Sequence, residues 1–289
     1  MPLVSVCLIT YNHVSYIEQA IESVLMQETN FDWEFIIADD FSTDGTRELL
    51  LEYKKKHPDL IRLILQEKNV GAALNWFDLL DSPRGKYMVY FEGDDYWTDP
   101  YKLQKQADFL EADKTYAGYA HQTMVLIKNK ESHLFRQDVP NDISVNDIIG
   151  GRLFHTASVM FRRTVLEIFN NIPDVCSGDR LLNFCIAFSG KIRFSNDCMS
   201  VYRKHNSGLS STSTVKQLLL DLNSISFLKR LYPSFPKYRY LSYVYATIGL
   251  CKNGPLYKRI YYLFLSFLFS FSYFPNNISF IFKHIARRL

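Results

Sequence analysis

An apolar run that ends in an acidic cluster, Tyr87-Met-Val-Tyr-Phe-Glu-Gly-Asp-Asp95, indicates the class of fold. Its first five residues have the length and the continuous apolar character of a strand that is covered on both faces. Val4–Ile9 and Phe35–Ala38 repeat this pattern, and polar residues follow each of them at once. The three runs predict neighbouring buried strands of one sheet.

Helical patterns lie between these strands, in Tyr16–Leu25, Glu48–Lys56 and Ala72–Leu80, and Asp99-Pro100 is typical of the start of a further helix to about Ala112. Ile61–Leu65 predicts another strand. This alternation predicts an α/β fold with a mostly parallel sheet flanked by helices. Beyond residue 116 we predict strands at 119–128 and 157–161, a helix at 180–188, short strands at 192–194 and 199–202, and a largely helical chain after Ser210.

Composition excludes some classes of protein. Of the 289 residues 47% are hydrophobic and 22% are charged, which supports a sizeable core and argues against wholesale disorder. A net charge of +3 is too small to indicate nucleic acid as the main partner. The five cysteines are odd in number and lack Cys-x-x-Cys spacing, so we expect a reducing compartment without disulfides or structural zinc. Because the sequence runs straight into the strand at Val4, we expect no secretory leader and a cytoplasmic protein.

Polar clusters follow three of the predicted strands: Thr10-Tyr-Asn12, Asp39-Asp40 and Glu92-Gly-Asp-Asp95. The carboxyl ends of parallel strands are where such sheets bind ligands. Carboxylates that lie close together repel one another, and a divalent cation commonly relieves that repulsion. Hard oxygen ligands suit Mg²⁺ or Mn²⁺, so we expect one of these ions as a cofactor.

Three segments, in this order and spacing, resemble successive motifs of the family-2 glycosyltransferases, which have the GT-A fold. They are Val4-Ser-Val-Cys-Leu-Ile-Thr-Tyr-Asn12, Ile36-Ile-Ala-Asp-Asp-Phe-Ser-Thr-Asp-Gly-Thr46 and Phe91-Glu-Gly-Asp-Asp-Tyr-Trp97. The resemblance implies a GT-A catalytic domain over residues 1–212, with a nucleotide-sugar half at about 1–112 and an acceptor and catalytic half at about 113–212. Residues 213–289 would form a helical C-terminal extension.

The resemblance also implies which residues hold the nucleotide. Thr10, Tyr11 and Asn12 would line the nucleoside site together with Asp39 and Asp40. One carboxylate of the Asp pair would accept the uracil N–H, and which of the two does so stays open. The donor would be a nucleotide-diphosphate sugar, with UDP as the expected nucleotide.

The metal site is implied by the same resemblance. Glu92-Gly93-Asp94 matches the Asp-x-Asp motif of the family, except that Glu stands in the first place. Glu92 would therefore contact the ribose or shape the loop. Asp94 would contact the nucleotide and bind the metal, with Asp95 beside it as a further metal ligand. Tyr202-Arg-Lys-His205 resembles the segment whose His completes the metal site, which makes His205 a further ligand.

The second half resembles the acceptor side of the family. Ser177-Gly-Asp-Arg180 opens a predicted helix and resembles the segment that carries the catalytic base, which implies that Asp179 takes the proton of the acceptor hydroxyl. An Asp in that position is also a common helix N-cap. We place His155, Trp97 and Arg180 in the substrate pocket. The implied reaction is an inverting sugar transfer in which the metal neutralises the leaving diphosphate and the base contributes roughly 10²–10⁴-fold.

The C-terminal end is aromatic and basic. Ile260–Phe274 contains no charge, follows Lys258-Arg259, and is shorter than the roughly 20 residues that span a bilayer as a helix. A second apolar piece, 278–282, precedes further cationic residues. We expect residues 257–289 to lie on a membrane surface, with packing on protein as the alternative. The protein would then be peripheral on the inner face of the cell membrane and act on a carbohydrate or lipid-linked saccharide, as in the synthesis of a lipopolysaccharide or capsule.

Other classes of protein fit less well. A nucleotidyltransferase would carry a Gly-rich, Lys- or Arg-bearing loop after the first strand, and Thr10-Tyr-Asn-His13 does not. A phospho-receiver domain is shorter and leaves the acidic cluster at Glu92–Asp95 unexplained. A catalytically degenerate GT-A fold that serves as a membrane-bound scaffold or binding module is the remaining alternative.

Overall fold

The computed structural model describes residues 1–127, 131–169, 172–205 and 213–271. In these ranges ten strands form one mixed sheet in the order β3-β2-β1-β4-β9-β6-β10-β5, with β7 beside β6 and β8 beside β10. The strands, in chain order, are β1 Val4–Thr10, β2 Trp33–Asp39, β3 Ile61–Leu65, β4 Tyr87–Glu92, β5 Tyr96–Trp97, β6 Tyr116–Ile127, β7 Glu131–Leu134, β8 Asp142–Ile143, β9 Met160–Arg162 and β10 Lys191–Lys204.

The first half of the sheet is parallel. Strands β3, β2, β1 and β4 pair in parallel, and every residue of β1 is buried. The crossovers contain helices α1 Ile17–Leu25, α2 Thr46–Lys56 and α3 Ala72–Leu80. One face of α1 is apolar, with Ile17, Ile21 and Val24 fully buried, which explains why this segment forms a helix against the sheet. The predicted α/β class is confirmed.

The second half of the sheet is mixed. Strand β9 pairs antiparallel with both β4 and β6, whereas β6 and β10 run parallel over most of their length. Helix α4 Lys102–Ala112 precedes β6, α5 Val145–Ile148 follows β8, and α6 Gly178–Ser189 precedes β10. The two short strands that we predicted at 192–194 and 199–202 are parts of β10, whose register against β6 shifts between Ser195 and Cys198 and again between Cys198 and Ser200.

Two element boundaries differ from the sequence prediction for local reasons. The predicted N-cap Asp99 accepts the Tyr101 N–H at 2.8 Å and the Lys105 ammonium at 2.7 Å, and α4 begins only at Lys102. The strand predicted at 157–161 is shorter, because a 3-10 turn occupies Thr156–Ser158 and β9 begins at Met160.

The chain forms two compact units. The first contains Met1–Ser144, Leu153–Phe169 and Cys185–Lys204, and so holds all the strands. Its core is built from the strands and from α1 and α4, with Phe35, Phe91 and Trp97 among its largest buried side chains. The second contains Val145–Arg152 and, among the described residues, 172–184, 205 and 213–271. Domain boundaries at residues 112 and 212 remain a prediction.

The second unit contains the C-terminal helices. These are α7 Val215–Leu219, α8 Ser224–Leu231, α9 Lys237–Gly249 and α10 Leu256–Phe271, with a 3-10 turn at Leu220–Asn223. Helices α9 and α10 pack so closely at Gly249 that a Cβ atom there would lie 2.6 Å from the Leu263 side chain. The aromatic rings of Tyr245 and Tyr262 stack between them. Of the helices in the described residues, none is both long enough and apolar enough to cross a membrane. The predicted surface segment beyond residue 271 lies outside the described residues.

Candidate active site

Three polar clusters meet at one edge of the parallel half-sheet. Thr10 at the end of β1 lies opposite Asp39 at the end of β2, and Ile9 lies opposite Glu92 at the end of β4. This placement follows from parallel pairing, because strands that run in the same direction have their carboxyl ends at the same edge of the sheet. The three sequence clusters are therefore neighbours in the fold.

The carboxylates of Asp39 and Asp40 have partners within the chain. Asp39 is fully buried, and Arg47 Nε donates to it at 2.7 Å. The buried Asp40 carboxylate accepts the Val70 N–H at 2.7 Å through one oxygen and the Gly71 N–H at 3.0 Å through the other. A carboxylate that accepts backbone N–H groups on both oxygens orders the loop that supplies them. The hydrogen-bonding capacity of Asp39 and Asp40 is therefore largely met by partners within the chain.

Asn12 connects the loops that follow β1 and β2. Its side-chain oxygen accepts the Thr43 N–H at 2.9 Å, and its own N–H donates to Ser42 Oγ at 2.8 Å. The backbone of Asn12 has φ +54°, a left-handed conformation that Asn adopts more readily than most residues. Asn12 therefore fixes the path of the loop that carries the half-exposed Tyr11.

Thr10 faces the acidic loop after β4. Its side chain is 2% exposed, and its Oγ1 has no hydrogen-bond partner in the described part of the chain. A Cβ atom at Gly93 would lie 3.0 Å from this Oγ1, so the absence of a side chain at Gly93 permits the close approach. Buried hydroxyls normally have a partner, which makes Thr10 Oγ1 a polar atom that a ligand could satisfy.

The second acidic cluster combines the three carboxylates of Glu92, Asp94 and Asp95. Glu92 accepts from Thr156 Oγ1 at 2.8 Å and from Tyr90 OH at 3.2 Å. Asp95 is 1% exposed and accepts the Arg203 N–H at 2.9 Å. Burial, followed by the charges of Asp94 and Glu92, raises the pKa of Asp95 well above its ordinary value. The structure therefore holds these carboxylates together against their mutual repulsion.

Arg203 is a residue that the sequence analysis overlooked. It is 7% exposed, its guanidinium donates to the Asp94 carbonyl oxygen at 2.6 Å and to the Gln19 side chain, and it lies 4.3 Å from the ring centre of Tyr96. Its backbone N–H donates to the Asp95 carboxylate, so Arg203 binds both Asp94 and Asp95. It stands in the segment Tyr202-Arg-Lys-His205, in which we singled out the histidine instead.

His155 lies beside this cluster within the first unit. Its ring stacks on Tyr202 with centroids 4.3 Å apart, and Phe135 approaches it edge-on. His155 Nδ1 accepts the Ala157 N–H at 3.3 Å and lies 3.6 Å from Asp95 Oδ2. The ring orientation is therefore set by packing and by the 3-10 turn at Thr156–Ser158.

Trp97, which we placed in the substrate pocket, lies in the hydrophobic core. It is 1% exposed, and its Nε1 donates to the Ala157 carbonyl oxygen at 3.1 Å. The Lys102 Nζ atom lies 4.0 Å from its ring centre. These contacts anchor β5, which continues directly from the acidic loop.

Asp179, Arg180 and His205 belong to the second unit. Asp179 stands in the first turn of α6, and Arg152 Nη2 lies 3.1 Å from its Oδ2. Arg180 is 7% exposed and donates to the Ile149 carbonyl oxygen at 3.0 Å. The positions of these three residues relative to the carboxylates of the first unit remain a prediction, and so do their roles.

Comparison with known proteins identifies the family. The model of the family described as "Glycosyl transferase family 2" matches residues 5–187, which is more than half of the chain and includes all the clusters described above except the segment around residue 203. The chain belongs to glycosyl transferase family 2.

Relatives within the family differ in length from this chain. Protein Rv1520 of Mycobacterium tuberculosis is 36% identical over 208 residues, which are 71% of this chain and 60% of that protein. The chain therefore spans less than two thirds of that relative. The Escherichia coli enzyme WfgD, a UDP-Glc:α-D-GlcNAc-diphosphoundecaprenol β-1,3-glucosyltransferase, is 28% identical over 214 residues, which are 74% of this chain and 81% of WfgD.

Solved structures share the fold of this family member. Staphylococcus aureus TarS 1–349 in complex with UDP-GlcNAc superposes with a TM-score of 0.60 at 18% identity, over 96% of this chain and 75% of that one. The Pyrobaculum calidifontis mannosyltransferase PcManGT in complex with GDP-Man and Mn²⁺ has the same TM-score and identity, over 99% of this chain and 79% of that one. At this identity the likeness supports the fold alone.

Proposed function

We propose that this protein transfers a sugar from a nucleotide-diphosphate donor to an acceptor hydroxyl. The observation that carries the proposal is the second acidic cluster, in which Glu92, Asp94 and Asp95 stand together at the end of β4. Beside it lies Thr10 Oγ1, which has no hydrogen-bond partner among the described residues. Membership of glycosyl transferase family 2 supports the same activity. The sugar nucleotides named with TarS, PcManGT and WfgD support a nucleotide-sugar donor, and we propose a UDP-sugar.

The nucleoside would bind at the first cluster and its flanking loop. The exposed Tyr11 ring is available to contact a base, and Asn12 holds the loop that carries it. Because Arg47 already pairs with Asp39, and Val70 and Gly71 already bind Asp40, these carboxylates mainly shape the site. A base N–H would have to share a carboxylate oxygen with one of these donors.

The residues after β4 fit a divalent cation. Among the described residues, no group of three or more His, Cys, Asp and Glu side chains is already arranged around one point as a metal site. The fit rests instead on the donor set, since the carboxylates of Asp94 and Asp95 are hard oxygen ligands. Burial, followed by the charges of Asp94 and Glu92, raises the pKa of Asp95. We propose Asp94 as the ligand of Mn²⁺ or Mg²⁺, with Asp95 and His205 beside it. When bound, the ion supplies Lewis acidity toward the leaving diphosphate.

The acceptor hydroxyl needs a base because an alcohol is a weak nucleophile at neutral pH. We propose Asp179, whose side chain is partly exposed in the first turn of α6 and pairs with Arg152. Asp179 would take the hydroxyl proton as the acceptor oxygen bonds to the anomeric carbon and the bond from that carbon to the diphosphate breaks. Attack on the face opposite the diphosphate would invert the anomeric centre. Asp179→Asn would then abolish most turnover while nucleotide binding persists.

A donor panel tests the proposed activity. The protein is incubated with UDP-glucose, UDP-N-acetylglucosamine and GDP-mannose, with and without Mn²⁺, and nucleotide release and binding are measured. Metal-dependent release from one donor that Asp179→Asn lowers supports the enzyme. Metal-dependent binding without release, even when lipid-linked saccharides are added, favours the scaffold alternative. Absence of both binding and release contradicts the proposal.

The location of the protein is a second part of the proposal, and it rests on the outer face of α10. This face is an apolar stripe at helical spacing whose members are each between 39% and 69% exposed: Leu256, Tyr257, Ile260, Tyr261, Phe264, Phe267 and Leu268. The opposite face of α10 packs on α9, where Ser242 Oγ donates to the Ser266 carbonyl oxygen at 3.0 Å. Contiguous exposed apolar surface of this kind is typical of an interaction site.

Charge favours an anionic lipid surface as the occupant of this stripe. Residues 213–271 contain eight Lys or Arg residues and a single acidic residue, Asp221, which is 5% exposed. Lys258 and Arg259 stand at the start of α10 itself. An apolar stripe with cationic neighbours suits a helix that lies in the membrane interface. We propose that the protein is peripheral on the inner face of the membrane, where a lipid-linked saccharide like the diphosphoundecaprenol substrate named for WfgD would be its acceptor.

Vesicle binding tests this location. The full chain should cosediment with vesicles of phosphatidylglycerol and phosphatidylcholine and bind pure phosphatidylcholine less well. The double variant Ile260→Ser/Phe264→Ser should weaken binding at least about tenfold, because each exposed apolar side chain loses its burial in the interface. Leu51→Ser/Leu74→Ser, at exposed positions 49% and 57% accessible in the first unit, is the matched control. Equal binding of both double variants contradicts the proposed surface.

A further inference from the structure

Asp221 holds the segment that leads into α6. It lies in the 3-10 turn Leu220–Asn223 of the second unit and is 5% exposed. Its Oδ1 accepts the Cys176 N–H at 2.9 Å and the Ser177 N–H at 2.8 Å, and its Oδ2 accepts from Ser177 Oγ at 2.7 Å. Three donors from two consecutive residues thus converge on one buried carboxylate.

This arrangement depends on the carboxylate chemistry of Asp221. An ionised carboxylate has only acceptor sites, so it can take three donors at once, whereas an amide would direct N–H groups at one of them. The turn makes a second contact with the same segment, because Asn223 Nδ2 donates to the Asp174 carbonyl oxygen at 3.0 Å. The segment from Asp174 to Ser177 is therefore tied to the turn at both of its ends.

Asp221 is itself held in place. Its carbonyl oxygen accepts from Ser224 Oγ at 2.6 Å and from Tyr240 OH at 3.3 Å, and these two hydroxyls are 2.8 Å apart. Tyr240 is 2% exposed. The acceptor of the three donors thus has a fixed position on the C-terminal helices.

Arg180, which follows Asp179, is also held by the C-terminal helices. The Arg180 guanidinium carbon lies 3.6 Å from the ring centre of Tyr243 and 4.7 Å from that of Tyr240. Tyr240 therefore helps to hold both ends of the turn from Ser177 to Arg180. It contacts Arg180 directly, and it donates to the carbonyl oxygen of Asp221, which binds Ser177. Asp179, between them, directs its carboxylate to Arg152.

We infer that Asp221 is a positioning residue for the base, acting through Ser177 to set the place of the Asp179 carboxylate. The inference rests on the proposed function, in which Asp179 takes the acceptor proton. It adds that the C-terminal helices take part in the reaction through this contact, in addition to any contact with a membrane. Displacement of a reacting group by about 1 Å can lower a rate by about 10²-fold, so loss of this contact affects turnover more than donor binding.

Kinetics of Asp221→Asn test the inference. With the donor that shows turnover in the panel, kcat per nucleotide-binding site should fall by about 10–100-fold while the KM for the donor changes by less than about threefold. Ser177→Ala, which removes one of the three donors, should change kcat in the same direction by a smaller factor. Ser242→Ala is the matched control, since it removes a partly buried hydroxyl contact between α9 and α10.

A double-mutant cycle separates positioning from a general structural role. In the Asp179→Asn background, Asp221→Asn should have little further effect on kcat, because its influence passes through the missing carboxylate. An equal loss of kcat in both backgrounds overturns the inference. Hydrogen exchange at the Cys176 and Ser177 amides gives a readout that needs no activity, and it should accelerate in Asp221→Asn and stay unchanged in Ser242→Ala. Unchanged exchange in Asp221→Asn also overturns the inference.

The same experiments distinguish the two levels of the argument. If Asp179→Asn keeps full turnover, the base assignment is wrong and the inference fails with it. If Asp179→Asn loses turnover whereas Asp221→Asn keeps it, the base assignment stands and only the role of Asp221 is wrong.

Discussion

The two acidic clusters of the first unit lie at the ends of neighbouring strands but differ in how their charges are compensated. Asp39 and Asp40 at the end of β2 are buried against an arginine and two backbone N–H groups. At the end of β4, the buried Asp95 lies close to two other carboxylates, and burial and their charges raise its pKa. The comparison teaches that clustered carboxylates need not have one purpose. The first cluster fixes the loops around the site, and we propose that the second cluster binds a divalent cation.

The largest expected effect comes from the second cluster. Asp94→Asn should lower metal-dependent nucleotide release by about 10²–10³-fold, because a metal ligand is worth several kcal/mol to the transition state. Its melting temperature without metal should stay the same or rise, because one of three like charges has been removed. Calorimetry and nucleotide release measure the two effects. If Asp94→Asn strongly lowers stability but keeps turnover, Asp94 has a structural role like that of Asp40 and the proposed difference between the two clusters is wrong.

The next effect is expected at the first cluster and concerns stability. Asp40→Asn would direct an amide N–H group at one of the two backbone N–H groups that the carboxylate accepts, so the free energy of unfolding should fall by about 1–3 kcal/mol. Chemical denaturation measures this loss. Asp44, also a carboxylate in the following loop but exposed to solvent, provides the milder comparison variant Asp44→Asn. An unchanged stability in Asp40→Asn, together with lost nucleotide affinity, would assign the carboxylate to the ligand instead.

A smaller effect extends the comparison to the residues beneath the second cluster. Lys102 is fully buried, its Nζ donates to Gln106 Oε1 at 2.8 Å, and burial lowers its pKa well below the ordinary value. Between the lowered pKa of the folded state and about pH 10, the unfolded state binds one more proton than the folded state. The free energy of unfolding therefore rises with pH in this window, by at most about 1.4 kcal/mol per pH unit.

Lys102→Met removes this proton linkage. The variant should be more stable than the parent at pH 7.5, and its advantage should shrink toward pH 9.5. Denaturant titrations across that range measure the slope. Lys105→Met on the same helix, whose ammonium is paired with Asp99, should show no such gain. A constant difference between Lys102→Met and the parent at all pH values would contradict a neutral buried amine.

The sequence predicted the parts of the fold that local patterns control. Buried strands such as β1 and the crossover helix α3 have uniform apolar character or a clear amphipathic period, and both were found within a residue of the predicted bounds. Strand β10 was predicted in two pieces because the polar residues around Asp197 interrupt its pattern. Only its pairing with β6, which shifts register at that point, shows that the strand continues.

The candidate site was predictable where its residues follow strands and obscure where long-range contacts assemble it. Thr10, Asp39 and Glu92 could be placed at one edge from parallel pairing alone. Arg203 and Asp221 carry no local signature, since their partners lie 109 and 45 residues away in the sequence. The pattern around an isolated Arg or Asp does not reveal such partners, and tertiary structure is needed to find them.

The long strand β10 has a consequence for how the protein is made. The Arg203 N–H closes on Asp95 across 108 residues, so the acidic loop cannot reach its final buried state until that part of the chain has been synthesised. At the usual translation rate of about 5–20 residues per second, the carboxylates wait roughly 5–20 s after they leave the ribosome. During that interval water can solvate their charges. The burial that raises the pKa of Asp95 is complete only when the strand that carries Arg203 has joined the sheet.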